Sequence, residues 1–359
     1  YEKKINKELL IKLRGLKNKK DKIKINELSI EEENNKIKIK DLVLNDKFQI
    51  LDLNNINLDY LDKEKQKNSI SILKKNKRYL AKGTYFNANN LIDKLLIDDV
   101  KQSNIFINNQ SIMIDIKKIR LDKDYELDNL SGNLNFKNQN LMNGKLVGNF
   151  SSDKRLEFTV INDGNSKITT LFMDYAKPIV RRYKFIKGFD EGVLDFYSTK
   201  IGEKSNSTLK IYDFKLKELP LLTKILTLAS LQGIADILSG EGIRFDEFEM
   251  NFRNEKTTMT IDEIYAIGPA ISILMDGYVE KNKTVSLRGT LVPATTINKF
   301  IGSLPVLGKL LVGSKTGEGV FGVSFKIKGP PKSLETTVNP IKTLTPRFIT
   351  RTLEKIKKN

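Results

Sequence analysis

The sequence predicts a mainly β protein: a long antiparallel sheet with a few apolar helical inserts and a C-terminal helix, whose apolar face must close on itself, pack on a second layer or curl into a groove. Three observations predict it. Aliphatic residues recur at every second position in run after run. Each run ends in a cluster of Asn, Asp or Lys, the residues of tight turns. A few apolar stretches abandon that period for helical spacing.

Taken in order, residues 1–35 are Lys-rich, and Leu9, Leu10, Leu13 and Leu16 suggest one basic amphipathic helix that Gly15 weakens. From residue 36 the period is two: Ile37 and Ile39, Leu42 and Leu44, Leu51 and Leu53, then Ile56, Leu58 and Tyr60. The pattern resumes at Ile105 and Ile107, at Ile112, Ile114 and Ile116, and at Ile119 and Leu121. It continues through Leu130, Leu134 and Phe136, Leu146, and Leu156, Phe158 and Val160. Later runs hold Leu194 and Phe196, Leu209 and Ile211, and Phe248, Met250 and Phe252. The strictest is Phe321, Val323, Phe325 and Ile327, alternating with Gly and polar residues. So many strands with so little helix between them point to an antiparallel meander. Asn129–Leu134 and Asn143–Gly148 echo each other, as strand pairs added one after another would.

Helical inserts are expected at about 88–97 (Leu91, Ile92, Leu95, Leu96), 219–239, 296–312 and 346–358. The second carries two stripes, Leu222, Ile225, Leu226, Ala229 and Leu231, Ile234, Ala235, Leu238. On one continuous helix they sit on opposite sides, so either the helix breaks near Ser230–Gly233 or apolar material covers both sides. Thr223, Lys224, Thr227, Gln232 and Asp236 argue against a lipid-spanning helix. The third holds Ile297, Phe300, Ile301 and Leu304 before Pro305, and the last sets Ile349, Leu353 and Ile356 against Arg347, Arg351 and Lys355.

The chain has 359 residues, 39% hydrophobic, enough for a large core and too apolar for disorder. A net charge of +18 raises nucleic acid as a partner. The excess is mostly Lys, however, and comes with abundant Asn and Ile, as a solvated surface from a biased base composition would. Arg, which supplies base-reading forks, is sparse, so no specific nucleic-acid partner is expected. Cys, His and Trp are absent, which removes thiolates, disulfides and the commonest general base and zinc ligand. The sequence opens at Tyr1 with no Met, signal peptide or transmembrane run, so it reads as a cut piece of a longer protein, and any membrane anchor would lie upstream.

Catalytic motifs fail on their context. Gly317, Gly319 and Gly322 match a GxGxxG spacing, but helix precedes and strand follows, the reverse of a dinucleotide site. Ser71/Lys74, Ser151/Lys154 and Ser207/Lys210 are pairs expected by chance where Lys is this common. Glu247 and Glu249 face away from Phe248 and Met250 on a strand, as a solvated face would. No catalytic, cofactor or metal residue is assigned, and the chain is read as a non-enzyme.

What remains is apolar surface. Phe248, Met250, Phe252, Phe321, Val323, Phe325 and Ile327 are the candidate groove lining. Leu222, Ile225, Leu226, Leu231, Ile234, Phe300, Ile301 and Leu304 are candidates for capping helices, and Arg347, Arg351 and Lys355 for contact with a membrane surface.

The C-terminal stretch carries an ordered series of motifs. It runs Gly289-Thr-Leu-Val-Pro293, Asn298, Leu304-Pro305-Val-Leu-Gly308, Gly319, Phe321, Gly329-Pro330, Val338-Asn339-Pro340 and Pro346. Upstream stand Leu219-Pro220, Ala229-Ser230-Leu231-Gln-Gly233 and Gly240-Glu-Gly242-Ile243-Arg-Phe245. The series resembles the AsmA-like C-terminal region in its YhdP-like branch. Gly83–Ala88 and Gly192-Val-Leu fit its looser positions, so the resemblance spans about residues 80–359, with 1–80 as an upstream groove segment. The match departs after Pro340, where Ile341 and Leu344 replace the usual choices, and in its Lys content. The resemblance implies a periplasmic, inner-membrane-anchored, bridge-like lipid carrier of the Gram-negative envelope, its long antiparallel sheet curled into a repeating, taco-like apolar β-groove. It implies a phospholipid or other acyl lipid as cargo, a membrane surface and envelope proteins as partners, and no catalytic residue. The alternatives are a non-transporting scaffold for outer-membrane assembly or envelope integrity, and a basic nucleic-acid binder.

Overall fold

The computed structural model describes residues 8–19, 22–76, 78–92, 109–137, 140–182, 188–217, 220–229, 231–293, 322–331 and 333–341. The chain forms two compact units, Tyr1–Asp174 and Tyr175–Asn359.

The N-terminal unit is an unclosed, curled meander. Its strands are β1 (Leu10–Lys19), β2 (Lys22–Glu32), β3 (Asn35–Asn45), β4 (Ile50–Asp52), β5 (Asn55–Leu61), β6 (Lys67–Lys75), β7 (Arg78–Asn87), β8 (Gln110–Arg120), β9 (Glu126–Lys137), β10 (Asn140–Asn149), β11 (Arg155–Asn162) and β12 (Lys167–Met173). Neighbours in sequence pair antiparallel, apart from β4 and β5, which both pair with β3, and β7 and β8, which run parallel. A parallel pair needs a crossover. It leaves through a helical turn at 89–92, begun by Ile92 N–H donating to Ala88 O (2.9 Å), where a helix was expected; residues 93–97 of that helix lie outside the described residues.

The basic amphipathic helix expected within 1–35 is corrected to strands β1 and β2. The error has a physical source. Gly15 adopts φ +68°, and a strand that turns over at one residue puts its next inward side chain three positions on instead of two. Leu13 and Leu16 thus face Leu28 and Ile25 on the same side of the sheet, at a spacing that mimics a helix.

Such turnovers are aligned from strand to strand. Gly15 stands against Asn26, and the register sets Asn26 opposite Asp41 (φ +51°). Asn54, in the break between β4 and β5, donates from Nδ2 to Asp41 Oδ2 (3.3 Å). Asn129 (φ +53°) makes a second turnover on β9, beside the step from Ile116 to Ile119 on β8. A residue out of pattern bends its strand and raises its twist. Because the bends line up, the sheet curls while its apolar residues stay on one side.

The C-terminal unit begins with α1 (Lys177–Val180), followed by β13 (Asp190–Ile201), β14 (Lys204–Leu216), α2 (Pro220–Leu228) and α3 (Gln232–Ser239). Then come β15 (Ile243–Glu255), β16 (Thr258–Ile267), β17 (Ile271–Glu280), β18 (Thr284–Pro293), β19 (Gly322–Gly329) and β20 (Glu335–Ile341), each antiparallel to the last. The turnover recurs where Gly192 (φ +84°) and Asp213 (φ +50°) face each other. Beyond it Phe189, Phe214 and Phe245 stack with ring centroids 5.4 Å apart at each step.

The expected helix at 219–239 breaks. Leu231, with φ −99° and ψ 46°, separates α2 from α3. The first stripe is buried throughout, and in the second Ala235 is buried with Leu231 and Ile234 half-buried. The expected helices at 296–312 and 346–358 lie outside the described residues. Hairpin register shows a further asymmetry. The β14–β15 and β18–β19 connections leave from one end of the sheet, whereas tight turns close the other end after Ile201, Glu255 and Glu280.

A side chain at Gly192 would meet Phe214 Cβ at 3.0 Å, on a backbone that L residues adopt at a cost. Gly192→Ala is expected to lower the unfolding free energy by about 1–3 kcal/mol. Urea denaturation checks it, and an unchanged midpoint would remove the turnover from the account.

Candidate apolar groove

Register turns the alternation of single strands into continuous lines across the sheet. In the N-terminal unit one line runs Leu13, Leu28, Ile39, Ile56, Ile72, Ala81, Ile114, Gly132, Leu146, Phe158, Leu171. It crosses every strand but the short β4, and no polar side chain interrupts it. A second runs Ile11, Ile30, Ile37, Leu58, Ile70, Gly83, Ile116, Leu130. At the usual strand spacing the first line is about 48 Å long, against roughly 15 Å for one bilayer leaflet's hydrocarbon.

The line between these two is mostly polar: Lys12, Ser29, Lys38, Asn57, Ser71, Lys82, Asp115, Ser131. It belongs to the opposite face, which cross-strand ion pairs cover, among them Lys36–Glu31 (2.9 Å), Lys82–Asp115 (3.1 Å) and Lys118–Asp128 (3.2 Å). These pairs are exposed and each contributes little stability. Their effect is to keep that face in water.

The apolar face is only partly covered. Ile25, Leu42, Leu53 and Tyr79 are buried, but Ile23, Leu28, Ile39, Leu44, Ile50, Ile56, Ile72 and Ile112 around them are half-buried. In a sheet packed on a second layer such residues are normally sealed. On β1 the same lines reach the surface, with Ile11 at 58% and Leu13 at 48% exposure.

One polar group reaches into this cluster. Tyr79 OH donates to Asp52 Oδ1 (3.3 Å), which also accepts from Leu53 N–H (2.9 Å) and pairs with Lys74. Burial, together with the charge of Asp52, pushes the Tyr79 phenol up to about 12. For Asp52 itself, burial acts to raise the carboxyl, but Lys74 and the hydrogen bonds outweigh it and hold the group below its ordinary value.

In the C-terminal unit the described candidates fall on one face in three parallel lines. Phe248 leads through Ala266, Ile273 and Leu291 to Val323; Met250 through Ile264, Met275 and Gly289 to Phe325; Phe252 through Ile261, Gly277 and Leu287 to Ile327. The middle line depends on Gly289, where a Cβ would stand 2.6 Å from the Phe325 ring. Covering is uneven: Val323 (0%), Phe325 (4%) and Ile327 (2%) are sealed, whereas Phe248, Met250 and Phe252 are half-buried. The β19 stretch is therefore filled by the protein's own atoms.

Of the capping candidates, Leu222, Ile225 and Leu226 are buried, and Leu231 and Ile234 are half-buried. Helix α2 packs on α3 and reaches β20. Phe300, Ile301, Leu304, Phe321, Arg347, Arg351 and Lys355 lie outside the described residues. Ser207 and Lys210 point to opposite faces of β14, and Lys210 pairs with Glu249 (3.3 Å) while Ser207 donates to Ser198 Oγ (2.8 Å). Glu247 and Glu249 do face away from Phe248, but Glu249 is well covered by that pairing. Among the described residues no helix is long and apolar enough to cross a membrane.

Sequence reading missed Ile11, Leu28 and Ile30, which it assigned to a helix, and passed over Ile70 and Ile72. The signal for the latter pair was present as Ser69-Ile-Ser-Ile72. Comparison with family models, with curated proteins and with solved structures finds no match.

Because the folded chain holds the Tyr79 proton more tightly than the ordinary 10.0, this stabilisation is complete below pH 10.0 and fades as pH rises toward 12. The urea midpoint of the wild type is expected to fall more steeply over that window than that of Tyr79→Phe. Parallel slopes would contradict the buried Tyr79–Asp52 contact.

Proposed function

We propose that this chain shelters lipid acyl chains along the apolar lines of its N-terminal unit, as part of a periplasmic lipid-transport bridge between inner and outer membrane. The observation that carries the reading is the unbroken line from Leu13 to Leu171, half-buried for most of its length and backed by a charged face. Each sheltered methylene contributes about 0.8 kcal/mol, so ten contribute about 8 kcal/mol. That is the scale of a micromolar complex before ordering costs. Such binding needs no specific polar contact, which suits cargo that slides. The resemblance to the AsmA-like C-terminal region supports the envelope setting and a phospholipid as cargo.

A scaffold without cargo is the second reading. The sealed Val323, Phe325 and Ile327 favour it for the β19 part of the C-terminal unit. The two readings divide by place: an open face in the first unit, a filled one around β19.

Photo-crosslinking separates them. A photoreactive residue at Ile56 or Ile72 is expected to capture phospholipid from cells, and one at Phe325 is not. Extraction and mass spectrometry of the purified chain should recover diacyl lipid, and Ile56→Lys should reduce it at least several-fold while the fold remains. Lipid-free protein with no adduct at Ile56 or Ile72 would sink the transport reading.

A further inference from the structure

Alternating strand direction sorts the turns of the N-terminal unit onto two edges. One edge carries the β3–β4 and β6–β7 turns and the start of β8. The other carries the β2–β3, β5–β6 and β8–β9 turns. The edges differ in character.

On the second edge the acids are occupied. Asp62 accepts hydrogen bonds from Asn68 (3.1 Å) and Asn87 (2.8 Å), and Asn87 and Asn89 donate to Glu64. On the first edge Lys75 and Arg78 stand directly opposite each other in the β6–β7 hairpin, and Lys47 projects from the neighbouring turn. Like charges in that position repel. Among the described residues none of the three makes an ion pair. Beside them are large apolar side chains in water: Phe48 at 71%, Met113 at 46% and Leu73 at 40% exposure. Leu73, Leu80 and Met113 form one line by register, on the face away from the groove. They are therefore not part of the apolar track.

Unpaired cations interleaved with exposed aromatic and aliphatic side chains fit one surface better than any other. A nucleic acid or an acidic protein satisfies the cations but leaves Phe48 and Met113 in water. A bilayer interface takes both, phosphate headgroups at the cations and the apolar groups in the boundary layer. We propose that this edge docks on an anionic phospholipid bilayer, with Lys47, Lys75 and Arg78 on headgroups and Phe48, Leu73 and Met113 in the interfacial layer. This docking is independent of whether the groove carries lipid.

The chain contains no Trp, so Phe48→Trp installs a single reporter. With the full chain and phosphatidylcholine vesicles, added phosphatidylglycerol is expected to drive flotation, shift the emission to the blue and expose residue 48 to quenching by brominated lipid. Lys47→Glu/Lys75→Glu/Arg78→Glu should weaken vesicle binding by roughly a hundred-fold. Lys63→Glu/Lys65→Glu/Lys123→Glu on the other edge should leave it unchanged. Binding indifferent to phosphatidylglycerol, equal losses from both triple variants, or a residue 48 that stays in water on bound vesicles would each overturn the proposal. So would retention on RNA or on monomeric short-chain phosphatidylglycerol without vesicle binding. Loss of groove crosslinks with vesicle binding intact would count against transport alone.

Discussion

A β-strand presents alternate residues to opposite faces, and that constraint governs this molecule. To keep one face apolar across so many strands, every strand must bring its Ile and Leu residues to the same side at the same height. A register slip of one residue would reverse a whole strand. The chain satisfies the constraint and still curls, because the points where strands turn over are shared. Gly15 and Asp41 turn over in line, with Asn26 between them and Asn54 bonded to Asp41, and Gly192 and Asp213 turn over opposite each other. Curvature and one-sidedness come from the same residues.

Those residues also explain what was legible in the sequence. Runs such as Ile112, Ile114, Ile116 could be read at once, since the strand is regular there. The step from Ile116 to Ile119 was read as a new run when it is one strand bending. At Leu13 and Leu16 the same step was mistaken for helical spacing. The two opposed stripes left either a break near Ser230–Gly233 or a helix covered on both sides, and the break at Leu231 decides between them. The parallel pairing of β7 with β8 was not legible, because pairing direction depends on where a crossover returns rather than on local pattern. The groove candidates were found through their strict alternation. Their coverage was not, since whether Phe325 is sealed depends on residues far along the chain.

Coverage is what divides the two units' apolar faces. Around β19 the apolar face is filled, and at Gly289 the Phe325 ring occupies the space a Cβ would need. In the first unit the face stays half-buried along lines far longer than an acyl chain. Burying aliphatic surface is favourable, so a face left half open is one that another apolar body is expected to cover. The proposal of a lipid conduit rests on that physical expectation.

The most direct measurement places a lipid on the face atom by atom. With isoleucine methyls labelled for NMR, a phospholipid bearing a paramagnetic group in its acyl chain is expected to broaden Ile39, Ile56, Ile72 and Ile114 together, and to spare Ile327. Uniform broadening of surface methyls, or none along that line, would contradict the account.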